Sequence, residues 1–209
     1  MKLLAPLLLL AALAAPAAAQ YCDTSNSCFF PPGPCAYLGS GSVTFSNGWE
    51  LRLLDFENSI DCDPLPPLGG STNQQDHSTC VLRLWNGLSL IGAGGNELMT
   101  MHLFAVPPSV NPREVDLELL ALDLSPGSLP MNVQLRESPT LVSNGHMQQT
   151  EVTPGNYHVT SFFDVFFELS LDNGQTWSPA NGPVHTVLSP APPLPARAAT
   201  WGSVKASYR

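Results

Sequence analysis

Apolar and polar residues alternate with a period of two along most of this chain, the pattern of strands with one buried face. In REVDLELLALDL, Val115, Leu117 and Leu119 fall on one side and Asp116 and Glu118 on the other. Glu and Leu also suit helices, but the period favours a strand. MNVQLRES alternates too, and the run from Gly145 to Trp177 carries the longest β-signal in the chain. Within that run Ser161, Phe163, Val165, Phe167, Leu169 and Leu171 share one face, the predicted core face. His158, Thr160, Phe162, Asp164, Phe166, Glu168 and Ser170 share the other.

Turn signals separate these runs. Asn47-Gly48, Asn86-Gly87 and Asn173-Gly174 each sit between two β-type segments, a strong short-range hairpin signal. DCDPLPPLGGSTNQQDHSTC, residues 61–80, is expected to be a long polar loop, and GAGGNE, residues 92–97, a short one. Turns at roughly ten-residue spacing, with few helical periods, predict an all-β fold. The expected architecture is an antiparallel β-sandwich or jelly-roll-like domain with a disulfide-stapled N-terminal arm.

The ends of the chain have a different texture. Residues 1–19, MKLLAPLLLLAALAAPAAA, have one Lys, a short apolar run broken by Pro6 and Pro16, and a closing Ala-Ala-Ala. That is the pattern of a cleaved signal peptide, so the protein is expected to be secreted, extracellular or at the cell surface, with no membrane span once the signal is removed. A Cys- and Pro-rich arm is assigned to residues 20–40 and the β-sandwich domain to residues 41–188. A stiff Pro/Ala-rich linker follows over residues 189–199. The tail, residues 200–209, places Trp201, Val204 and Tyr208 on one side of a short helix and is the one basic end of the chain, a candidate docking or sorting signal.

The five cysteines, Cys22, Cys28, Cys35, Cys62 and Cys80, are disulfide candidates in an oxidising compartment. An odd number allows at most two bridges. Chain proximity favours Cys62 with Cys80, and one pair among the first three. No close C-x-x-C pair supports zinc. Net charge is −9 before signal removal and becomes about −10 after the loss of Lys2. Such a surface repels phosphate, so nucleic acid is not an expected partner.

Catalytic patterns are missing. None of the five histidines forms H-x-H or H-E-x-x-H, and neither G-x-S-x-G nor a phosphate-binding glycine pattern occurs. No catalytic residue, metal ligand or cofactor is nominated, and binding is expected over catalysis. One surface stands out. On the 158–171 face Phe162 and Phe166 can stack on a sugar, while Asp164 and Glu168 accept hydrogen bonds from its hydroxyls. The two acids lie about 13 Å apart along an extended strand. Glycosidase pairs lie about 5–10 Å apart, so this pair alone is too wide. The expected function is a secreted non-catalytic binding or scaffolding domain. The alternative is a carbohydrate-active enzyme or carbohydrate-binding module, with a polysaccharide or cell-envelope component as partner.

Ser170, Asp172, Gly174 and Trp177 fit S-x-D-x-G-x-x-W. This resembles the Asp-box, or BNR, hairpin of sialidases and many secreted β-proteins. The resemblance implies a structural turn, with the acid locking the backbone and the Trp packed beneath, remote from any active site. A sialidase propeller would need several such boxes and a longer chain. The surrounding SFFDVFFELSLDNGQTW also resembles segments of uncharacterised secreted bacterial proteins, which implies no activity.

Overall fold

The computed structural model describes residues 22–25, 35–59, 65–106, 111–124 and 132–190. The expected signal peptide, most of the linker and the whole tail lie outside these residues. Thirteen strands, all paired antiparallel, make up the described chain. They are β1 (Cys22–Ser25), β2 (Cys35–Ser40), β3 (Val43–Thr44), β4 (Glu50–Ser59), β5 (Ser71–Trp85), β6 (Ser89–Val106) and β7 (Arg113–Leu124). β8 (Gln134–Glu137), β9 (Ser143–Thr153), β10 (Asn156–Val165), β11 (Phe167–Ser170), β12 (Ser178–Pro179) and β13 (Val184–Pro190) follow. The fold is all-β and antiparallel around one core, as the turn spacing predicts.

The ladders also close. Strands β2, β4, β5, β6, β7, β9, β10 and β13 pair in that order, and β13 returns to β2. Eight strands in sequence order thus form an up-and-down ring, a sandwich whose edges are joined. Closure gives every wall strand a partner on each side over at least part of its length. Alternation then assigns each residue to the inside or the outside. Leu82, Leu84, Met101, Leu103, Val115, Leu117, Met147, Val159, Phe163 and Val165 fill the interior.

A smaller sheet leaves the ring at one end. β7 shifts register between Leu119 and Ala121, and two consecutive outward residues, Leu120 and Ala121, restore Leu122 and Leu124 to the core. This bulge re-aims the strand. Asp123 and Leu124 pair with β8, which pairs with β11, which pairs with β12. A bridge from Phe45 to Ala180 fastens this annex to the Asn47-Gly48 hairpin.

Several expected elements take a different form. The polar segment read as a loop contributes residues 71–80 to β5, where Gln74 is buried and the backbone pairs with β4 and β6. GAGGNE lies within β6, paired with β5. In both, ladder hydrogen bonding to a neighbouring strand outweighs weak strand propensity. The Cys- and Pro-rich arm, residues 20–40, contributes strands of its own: β1 pairs with β10 and β2 is a wall strand. Its staple is Cys22–Cys35. Cys28 and Cys62 lie outside the described residues, and of Cys80 only the backbone in β5 is described.

Candidate ligand-binding face

The expected core face of the 158–171 run holds as far as Leu169: Ser161, Phe163, Val165, Phe167 and Leu169 are buried, while Leu171 is half-buried against the core. The continuous strand does not. It breaks at Phe166, whose N–H is donated to Ser143 Oγ at 3.0 Å and whose carbonyl accepts the Ser138 N–H at 2.8 Å. These bonds replace the ring's ladder and turn the chain into the annex.

The break divides the four candidate ligand contacts. Phe162 is on the outer wall and 37% exposed, and Asp164 follows it on the same wall. Phe166 is half-buried at the crossover. Glu168 is 8% exposed in the annex. There Arg136 donates from Nε and Nη2 to Glu168 Oε2 at 3.0 and 2.7 Å, and Ser138 Oγ donates to Oε1 at 3.3 Å. The Arg136 guanidinium in turn lies 3.9 Å from the centre of the Trp177 ring. Glu168 therefore spends its acceptors inside the protein, and no single platform holds all four residues.

Cross-strand register brings other side chains to Phe162. His146 on β9 is directly opposite it, and His185 on β13 is opposite Asp164. The His185 ring is 5.5 Å from Phe162 at an interplanar angle of 33°, and the His146 ring is 6.4 Å away at 38°. Three tilted rings thus form a strip across β9, β10 and β13. Each imidazole is fixed by an acid: His185 Nδ1 is 2.7 Å from Asp164 Oδ1, and His146 Nδ1 is 2.9 Å from Asp116 Oδ1 on β7. A carboxylate only accepts, so Nδ1 carries the proton and Nε2 is left as the acceptor of each neutral ring. With Phe162 between them the two imidazoles cannot share one ion. Among the described residues no group of three His, Cys, Asp or Glu could hold a metal.

The strip borders an open groove of about 410 Å3, lined by Gln148, Thr160 and Val187 in addition to the three rings. Beneath it the wall is tied by hydrogen bonds and ring packing. Ser161 Oγ donates to the His146 carbonyl at 2.9 Å and accepts from Tyr37 Oη at 2.8 Å. Burial pushes the Tyr37 phenol well above its ordinary value. Tyr37 packs edge-on against Phe163, with centroids 5.3 Å apart. Gly145 leaves room for that pair. A Cβ there would lie 2.6 Å from both the Phe162 carbonyl and a Phe163 ring carbon.

The S-x-D-x-G-x-x-W hairpin is elsewhere, in the annex. Asp172 Oδ1 accepts the Thr176 N–H at 2.8 Å, and Oδ2 accepts Thr176 Oγ1 at 2.6 Å. Ser170 Oγ donates to Asp172 and accepts the Gly174 N–H at 2.8 Å. Asn173 and Gly174 have φ of 60° and 81°. Trp177 Nε1 donates to the Gly174 carbonyl at 3.1 Å. The hydrogen bonds from Thr176 and Ser170 hold the Asp172 carboxyl down at about 2.

Sequence reasoning missed His146, His185, Asp116 and Gln148. Each occupies an outward position of an alternating strand, which the sequence does signal. Their convergence on Phe162 depends on register, which it does not. Comparison with protein-family models, with curated proteins and with solved structures finds no match.

Proposed function

We propose that this chain is a secreted, non-catalytic binding domain that holds carbohydrate on the outer wall of β9, β10 and β13. The observation that carries this reading is the ring strip His146–Phe162–His185, part-exposed and flanked by the Asp116 and Asp164 carboxylates. Aromatic faces cover the apolar C–H faces of a sugar. Carboxylates, Gln148 and Thr160 bond its hydroxyls. A shallow open groove suits a long chain lying across the wall better than a small molecule enclosed on all sides.

Catalysis is the weaker reading. Asp164 is outside the ring and bonded to His185, while Glu168 is closed off by Arg136 and Ser138. These two acids therefore do not face a common bond, as a glycosidase requires. Secretion is supported by the Cys22–Cys35 bridge, a bond of oxidising compartments, together with the leader-like first 19 residues. Among the described residues no helix is long and apolar enough to cross a membrane. The outer wall bears Glu114, Asp116, Glu118 and Asp164, unlike the apolar band of a lipid-embedded barrel.

The test is affinity electrophoresis of the full chain through gels containing neutral or acidic polysaccharides. Retardation by a neutral polysaccharide, lost in Phe162→Ala, is the expected result. The charge of −9 disfavours acidic ones. Equal mobility in every gel would remove the carbohydrate reading and leave a scaffolding role.

A further inference from the structure

Glu137 ends β8 and lies opposite Phe167 in the β8–β11 register, on the core side, 7% exposed. Its Oε1 accepts from Ser143 Oγ at 2.9 Å. Ser143 begins the wall strand β9, is fully buried, and its Oγ also accepts the Phe166 N–H. One hydroxyl therefore joins three parts: the wall, the crossover that leaves it, and the annex.

The charges around Glu137 do not favour a second negative centre. Glu118 on β7 and Glu168 on β11 both repel an ionised Glu137, and Arg136 on β8 attracts it. Arg136 is already committed to Glu168 and stacked on Trp177. From β9 the carboxyl accepts the Ser143 hydroxyl, and the crossover reaches it through that hydroxyl, which accepts the Phe166 N–H. Burial is the largest influence. With the two glutamates it outweighs the Ser143 hydrogen bond and Arg136, and pushes the carboxyl up to about 7.

We propose that the joint between barrel and annex is a proton-operated latch, closed when Glu137 is neutral and loosened when it is ionised. The folded chain holds a proton that the released chain gives up between pH about 4.5 and about 7. The latch is therefore tightest on the acid side, weakens as pH rises through that window, and changes little above it. What it would release is the annex with Trp177, at the end of the strand that carries Phe162 and Asp164. The latch does not depend on the identity of any ligand.

The test is amide hydrogen exchange on the full chain at pH 5.5 and 8, corrected for the intrinsic rate, comparing β8 and β11 with β9 and β10. Linkage gives the annex about a tenfold or greater loss of protection relative to the wall. Glu137→Gln keeps an acceptor for Ser143 without the charge and should abolish that difference. A wild-type ratio that does not change with pH, or a change that persists in Glu137→Gln, overturns the latch. A carbon-NMR titration of the wild-type Glu137 carboxyl serves if the variant fails to fold. A midpoint near 7 supports the proposal, and one near 4.5 overturns it.

Discussion

Asp164 holds His185 across the β10–β13 ladder at 2.7 Å, and the imidazole so fixed lies 5.5 Å from Phe162, the residue two before that acid. A strand's outward acid thus orients a neighbour's ring beside its own aromatic. On the other side Asp116 does the same for His146. The strip is preorganised, so little side-chain freedom is lost when a ligand covers it.

Phe162→Ala removes the centre of the strip from an exposed position. Binding should weaken about tenfold, since a stacked ring contributes on the order of 1 kcal/mol. The thermal midpoint should stay close to wild type. Parallel affinity electrophoresis and thermal unfolding check both halves.

Gly145→Ala tests the support beneath. The added methyl must displace Phe163 or the β10 backbone. A loss of about 1–3 kcal/mol is expected from overpacking. Urea unfolding monitored by circular dichroism measures it.

How much was legible in the sequence varies by element. Alternation identified β7 and the inward residues of β10, because period two needs only neighbours in the chain. The Asn-Gly turns located the β3–β4 and β5–β6 hairpins for the same reason, with Gly48 and Gly87 at φ of 85° and 99°. Ring closure was not legible, since β13 meets β2 only in space. Nor was the β10–β11 break. Phe166 continues the alternation, and only the Ser143 hydroxyl, more than twenty residues earlier, reveals why the ladder stops. Glu168 looked solvent-facing for the same reason: Arg136, which covers it, arrives on a different strand.

Arg136→Ala should be costly although Arg136 lies outside the ring strip. It leaves Glu168, whose side chain is 10% exposed, without its cation and removes the contact with Trp177. About 2–3 kcal/mol is expected, below the full figure for a buried pair because the arginine is 30% exposed. Glu168→Gln should cost less, because Gln keeps an acceptor for Arg136 and the charge left unpaired is the more exposed of the two. Chemical denaturation of both variants checks the order.

Asp172→Ala should lower the thermal midpoint and leave carbohydrate binding intact, because the hairpin is remote from the strip. The pH dependence has a definite sign. A carboxyl depressed from 3.8 to about 2 stabilises the fold above pH about 4, and that contribution is lost as pH falls toward 2. Differential scanning calorimetry from pH 2 to 6 should show the two proteins converging at the acid end.

Reducing or replacing the Cys22–Cys35 bridge frees a loop with a sequence separation of 13. Cys22→Ser with Cys35→Ser should cost about 3 kcal/mol. It should also release β1 from β10, read as faster amide exchange at Val159, the register partner of Cys22.

The most direct test of the account is an amide NMR titration of the protein with oligosaccharides cut from whichever polysaccharide retards it. The account predicts shifts concentrated at residues 146–148, 160–164 and 185–188, with the annex hairpin unmoved. Shifts centred on the hairpin around Asp172 and Trp177, or no shifts at saturating sugar, would contradict it.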